Sequence, residues 1–335
     1  MKERDNLLRV VTSSPLKGGF LLPWRRSLAL LLGGMGLTVG MVGCDRPVAT
    51  DPQGDRPDVV ATSTLIADWT QQIGGDEIDL TSILEPGADP HIYEPVPQDS
   101  IAFEEADLIL YNGYNLEPNL IRLINAAGIT ARKVAVAEIV SPLELEEGGG
   151  TVPDPHVWGD VANVIQMVEL IRDELSQLSP EDEAVFTQNA AELTADLERL
   201  DQWIAEQIAT IPAAQRQLVT THDAFQYYTT AYGMEVAGTL IGISTEEQPS
   251  AQTVQQLADS IRSLGIPTIF AETTINPRLI TTVAEEAGVT LAATELYSDS
   301  LGAPDSDGAT YIDMMVSNTR AIVENLGGQY TPFEP

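Results

Sequence analysis

Basic residues are scarce in this chain. Only 17 of its 335 residues are Lys or Arg, against 50 Asp or Glu, and the formal net charge is −33. That balance excludes a broad nucleic-acid footprint, because phosphate binding needs clustered Lys and Arg. It also argues against electrostatic docking on an anionic membrane face. A cation is a more natural partner, since the summed field attracts and concentrates it, and the competing reading is that acidity only keeps the protein soluble. Cysteine occurs once, so no internal disulfide forms and the fold must hold by packing alone. Aromatics make up only 6%, with no repeat or sticky tract. What is present is a length that allows about two domains, each able to bury a core.

The N-terminus reads as a processing segment. Lys2, Arg4, Arg9, Lys17, Arg25 and Arg26 stand against only Glu3 and Asp5. An uncharged apolar run of 16 residues follows, Ser27 to Val42, too short for a confident spanning helix. It ends in Met41-Val42-Gly43-Cys44, which resembles a bacterial lipoprotein signal with Cys44 as the lipidated new N-terminus. Residues 1–43 are then the signal peptide, and 44–58 a polar Pro/Gly tether.

Beyond the tether, short β-rich runs alternate with helical patterns, the signature of parallel α/β units. The first set of expected strands is Val59-Thr62, Leu80-Leu84, Leu108-Asn112 and Lys133-Ala137. The second is Gln217-Thr221, Val236-Leu240, Thr268-Ala271 and Thr290-Thr294. Between them, Ser179-Pro180-Glu181-Asp182 supplies an N-cap, a first-position proline and acidic residues for a helix start. Apolar residues then recur in steps of three and four from Phe186 to Ile211, and Pro212 stops the pattern. This predicts one long stiff helix over 179–212, joining a lobe at 59–178 to a lobe at 213–335. A coiled-coil dimer is the competing reading of the same stripe. Glu144-Gly150 reads as a flexible loop.

There are only three histidines, in similar surroundings. Asp-Pro-His occurs twice, at His91 and His156, and each copy predicts a turn that aims an imidazole. His222 directly follows an expected strand and His91 follows one by a short loop, and ligand sites in open α/β sheets form at the carboxyl ends of strands. Neutral imidazole is the commonest metal ligand, and three with one carboxylate suit zinc while tolerating manganese or iron. Glu272 and Asp299 are both placed to supply the carboxylate, or to serve as a helix N-cap or solvated loop acid. Asp89, Asp154 and Asp223, each close to a histidine in sequence, suit turn formation or acceptance of a ring N–H.

At these residues a family resemblance becomes specific. GADPHIYEPVPQD (Gly87 to Asp99), DPHVW (Asp154 to Trp158), THDAFQYY (Thr221 to Tyr228), FAETT (Phe270 to Thr274), YSDSLG (Tyr297 to Gly302) and YIDMMVSNTRAIVENL (Tyr311 to Leu326) occur in that order. Together they resemble the metal-binding lipoproteins of bacterial ABC importers for zinc, manganese or iron, from about Val59 to Leu326. The resemblance implies two parallel-sheet α/β lobes joined by a long rigid helix, with one ion in the interlobe cleft. It places the ligands at His91, His156, His222 and Asp299, and puts Glu272 near the site but outside the ligand set. Manganese-type relatives commonly have Glu where this chain has His222, whereas zinc-type relatives have His. The His-rich acidic loop of many zinc-type members is lacking. Zinc is narrowly favoured over manganese as cargo.

The resemblance further implies a monomeric binding protein that is no enzyme, held outside the cytoplasm on the periplasmic side by lipid on Cys44. It would deliver its ion to a permease in the inner membrane. Two alternatives from other classes are a zinc hydrolase with Glu272 as general base, and a surface adhesion lipoprotein. The first is disfavoured because a fourth ligand closes the position that a reactive water needs.

Overall fold

The computed structural model describes residues 56–334 apart from 127, 148 and 149. The expected leader at 1–43, Cys44 and the expected tether up to residue 55 lie outside the described residues. The described residues form one compact unit. Among the described residues no helix is long and apolar enough to cross a membrane.

The first lobe alternates strand and helix. It comprises β1 (Asp58–Ala61), α1 (Thr64–Gly74), β2 (Asp79–Ser82), α2 (Pro97–Glu105), β3 (Leu108–Tyr111), α3 (Pro118–Ile124) and β4 (Arg132–Ala135). The four strands pair in parallel in the order β2-β1-β3-β4, with Val60 opposite Ile109 and Leu110 opposite Val134. Val59, Val60, Leu108, Ile109 and Leu110 are all buried, the continuous apolar character of strands covered on both faces. β5 (Glu144–Glu147) and β6 (Gly150–Pro153) pair antiparallel, so the expected flexible loop at Glu144-Gly150 is instead a hairpin. Two four-residue runs separated by Gly148-Gly149 are a hairpin signal, which outweighs the acidic composition.

α4 (Val161–Leu178) and α5 (Glu183–Ala209) follow. Pro180–Asp182 form a 3₁₀ turn, so regular α-helix begins three residues after the proline and runs 27 residues, about 40 Å at 1.5 Å per residue. Phe186, Ala190, Leu193, Leu197, Leu200, Ile204 and Ile208 form its buried stripe. That stripe is covered by α1 and α4 on the first lobe and by α9 on the second, which leaves no open seam for a coiled-coil partner.

The second lobe repeats the first. Its elements are β7 (Gln217–Thr220), α6 (Gln226–Tyr232), β8 (Glu235–Thr239), α7 (Ala251–Leu264), β9 (Thr268–Ile269), α8 (Arg278–Ala287), β10 (Thr290–Leu291) and α9 (Tyr311–Asn325). β7 pairs parallel with β8 and β9 with β10, and the Phe270 N–H donates to the Val219 carbonyl at 3.0 Å to join the two pairs. The resulting order, β8-β7-β9-β10, matches that of the first sheet.

The largest core cluster belongs to neither lobe alone. It runs from Val59, Trp69 and Val164 through the α5 stripe to Tyr228, Tyr311 and Met315. Gly159 marks how closely the lobes meet, since a Cβ there would lie 2.9 Å from the backbone nitrogen of Tyr228. Any larger residue would push the lobes apart.

Candidate metal centre

Each of the four expected ligands sits where a strand or turn delivers it to the seam between the lobes. His91 lies in the loop after β2, His156 follows the β5–β6 hairpin, His222 follows β7, and Asp299 lies in the segment between β10 and α9. Both Asp-Pro-His turns are built alike. The Asp89 carboxylate accepts the His91 N–H at 2.9 Å, and the Asp154 carboxylate accepts the His156 N–H at 3.0 Å. A short acid two residues ahead thus fixes each imidazole-bearing backbone.

The four side chains converge. One ligand atom from each lies within 4.8 Å of all the others, and all four residues are buried, with His91 the most exposed at 3%. Nε2 of His91 and of His156 lie 3.3 Å apart. The Asp299 carboxylate comes within 3.1 Å of His222 Nε2, 3.4 Å of His156 Nε2 and 3.8 Å of His91 Nε2.

Two imidazoles are held from behind by carboxylates. His156 Nδ1 lies 2.7 Å from Asp154 Oδ1, and His222 Nδ1 lies 2.5 Å from Glu272 Oε2. With Nδ1–H committed to those acids, Nε2 of each ring presents its lone pair inward. Glu272 Oε1 also accepts the backbone N–H groups of Thr221 and His222, both at 2.9 Å. Both Glu272 oxygens are therefore engaged behind His222, and Glu272 is not among the four side chains whose ligand atoms converge. Asp223 does not reach an imidazole; it accepts from Gln226 at 3.0 Å.

Electrostatically the centre is balanced around Asp299. Burial would raise its carboxyl, but the three imidazoles outweigh burial and hold it well below the usual carboxylate range. Burial pushes His91 down to about 3, against the pull of Asp299. For His156, burial opposes the charge, yet Asp154 and Asp299 outweigh it and raise the ring to about 9. For His222, burial is likewise outweighed by Glu272 and Asp299, which raise it well above its ordinary value. Neither Asp299 oxygen has a hydrogen-bond partner, and neither does His222 Nε2. Unpaired carboxylate oxygens are costly to bury, and here they face inward-turned Nε2 atoms, an arrangement that a cation satisfies and that ring protons satisfy in its place.

Some functional contacts have little sequence signal. Asn112 Nδ2 donates to the Pro155 carbonyl beside His156, and the Asn112 N–H donates to buried Glu117 at 2.7 Å. Burial raises the Glu117 carboxyl to about 7. The Thr245 hydroxyl donates to Asp89 at 2.6 Å from the opposite lobe.

Comparison with known proteins agrees with this geometry. Residues 59–325 match the family model described as zinc-uptake complex component A, periplasmic. A relative from Halalkalibacterium halodurans, the manganese-binding lipoprotein MntA, is 35% identical over 286 residues, covering 85% of this chain and 93% of that protein. The manganese ABC transporter substrate-binding lipoprotein PsaA of Streptococcus pneumoniae is 34% identical over 293 residues, covering 85% and 94%. Among solved structures, the periplasmic zinc-binding protein TroA of Treponema pallidum superposes with a TM-score of 0.77 at 34% identity, covering 81% of this chain and 99% of that one. With the family model spanning both lobes and all four converging side chains, the chain belongs to the ZnuA family of periplasmic metal-uptake components.

Proposed function

We propose that this protein captures one divalent transition-metal ion with His91 Nε2, His156 Nε2, His222 Nε2 and Asp299, and delivers it to an ABC importer permease. The observation that carries this reading is the convergence of four buried ligand atoms within 4.8 Å of one another. Members of the family and the curated relatives are solute-binding components of metal importers, so the chain is not an enzyme. Consistent with that, four protein ligands around one ion leave no open position to activate water.

For the cargo, three nitrogens and one carboxylate bind zinc more tightly than manganese in the Irving–Williams order, so zinc leads. Manganese is the second reading, supported by the names of the relatives MntA and PsaA. We assign residues 1–43 as leader, Cys44 as the lipid-bearing residue and 44–58 as tether. Residues 59–178, 179–212 and 213–335 are the first lobe, linking helix and second lobe of a monomer anchored on the periplasmic side.

The test is competitive loading of the full chain, stripped by chelator and offered zinc and manganese together, with metal content read by mass spectrometry. One zinc held against excess manganese, with the preference lost in His222→Glu, is the expected result. Effective competition by manganese would make the site permissive and shift the cargo to whichever ion the cell supplies. No stoichiometric metal would overturn the transport reading.

A further inference from the structure

With every ligand at 3% exposure or less, an ion cannot pass to or from the site unless some part of the protein moves. Most of the seam between the lobes is fastened. Trp158 Nε1 donates to the Ser298 carbonyl at 3.0 Å, and the Tyr311 hydroxyl donates to the Trp158 carbonyl at 2.7 Å. The Leu301 N–H donates to Thr64 at 2.9 Å, and the Tyr227 hydroxyl donates to the Asp154 carbonyl at 3.0 Å. These bonds sit on a core cluster shared by both lobes, so spreading the lobes would break many contacts at once.

Residues 243–249 are different. They form no helix or strand, and they are divided between the linings of two cavities. Ile243, Ser244 and Glu246 border a cleft of about 880 Å³ that His91 also lines. Thr245 and Glu247 border a second of about 440 Å³, lined also by Asp89 and Ile92. Among the described residues, one hydrogen bond ties this segment to the first lobe, from the Thr245 hydroxyl to Asp89 Oδ2. The other oxygen of Asp89 accepts the His91 N–H. One carboxylate thus couples the segment to the backbone of a ligand, with open space on either side into which the segment can swing.

We propose that residues 243–249 are the gate of the metal site and that the Thr245 hydroxyl is its latch, a positioning residue acting through Asp89 on His91. The proposal rests on the ligand set assigned above. Opening the gate needs one charge-assisted hydrogen bond to break, whereas a hinge between the lobes would need the fastened seam and shared core to yield. Permease docking would then release the ion by drawing this segment off the His91 loop.

The experiment uses the full chain loaded with zinc. Release into excess chelator is followed by stopped flow for wild type, Thr245→Val and Thr245→Ser. Valine keeps the shape and removes the donor, and release should accelerate about tenfold, the rate equivalent of one hydrogen bond to a charged group. Serine restores the donor and should restore slow release. In the metal-free chain, hydrogen exchange at the His91 amide and across 242–247 should quicken in Thr245→Val while α4 and α5 keep wild-type protection. Unchanged zinc release in Thr245→Val, or faster release that Thr245→Ser fails to rescue, overturns the gate. Failure of the wild type to take up zinc or manganese overturns the ligand assignment and the gate with it, and is told apart by its failure at the loading step.

Discussion

Glu272 holds His222 at both ends of its carboxylate, with Oε2 2.5 Å from ring Nδ1 and Oε1 accepting the backbone N–H of the same residue at 2.9 Å. Ring and backbone of one ligand are therefore locked by a single fully buried side chain. Glu272→Gln keeps the volume but places an NH₂ where one of those donors expects an acceptor. Zinc affinity should fall about 10- to 100-fold, the usual loss when the partner behind a ligating imidazole is altered. Isothermal titration of the variant checks this. An unchanged affinity would mean that the carboxylate only supports the fold.

Proton competition gives the second prediction. Below about pH 9 the metal-free site holds a proton on His156, Glu272 and Asp299 favour the charged form of His222 in the same direction, and a bound ion must displace what protons the rings carry. Zinc affinity should climb by at least about tenfold per pH unit between pH 7 and pH 8, with proton release measurable in weakly buffered titrations. Three ordinary imidazoles would instead give a plateau above about pH 7. Affinity measured at pH 6, 7, 8 and 9 separates the two cases.

The same groups set the stability of the metal-free protein. His156 is raised in the folded state, so its contribution is complete below the unfolded value near 6.5 and is lost as pH rises toward 9. His91 is lowered to about 3, so the unfolded chain takes up a proton there first and stability falls as pH drops below 6.5. The melting temperature of the metal-free chain should peak near pH 6.5. Zinc should remove the loss on the alkaline side, because the ion replaces the protons. Thermal scans with and without chelator test this.

Much of the architecture was legible in the sequence because period and punctuation agreed. All eight expected strands occur, and residues such as Val59 and Leu218 are buried as a parallel sheet requires. The α5 stripe from Phe186 to Ile208 was equally plain, since nothing but a helix buries residues at those steps. The repeated Asp-Pro-His turn pointed to two of the four converging side chains, and strand ends pointed to His222. The hairpin at 144–153 was hidden by its acidic composition. Thr245 and Asn112 were hidden for another reason: each acts across a contact distant in sequence, and one hydroxyl or amide in a polar stretch carries no periodic signal.

The proposed lipid attachment at Cys44, read from Gly43-Cys44 after an apolar run, is directly testable. Whole-protein mass spectrometry of membrane-extracted material should show an acylated species that begins at Cys44. Cys44→Ser should abolish the added mass, since the thiol that carries the acyl chains is gone. An unmodified, uncleaved N-terminus in the wild type would defeat the assignment.

The last prediction separates stability from binding. Leu197 and Leu200 are fully buried on α5, in the cluster that both lobes share. Leu200→Ala would leave a cavity in the most continuous part of that core, at a cost of about 2–5 kcal/mol. Because α5 packs on α1 and α4 on one side and α9 on the other, the loss should lower the melting temperature in a single cooperative transition. Two transitions would mean that the lobes unfold independently and that α5 belongs to one of them. Residue 200 contributes nothing to the ligand set, so a variant that still folds should bind zinc with near wild-type affinity, measured well below its melting temperature. A loss of affinity as large as that of Glu272→Gln would show instead that the helix core transmits to the site, and that the lobes are less rigidly joined than their shared packing implies.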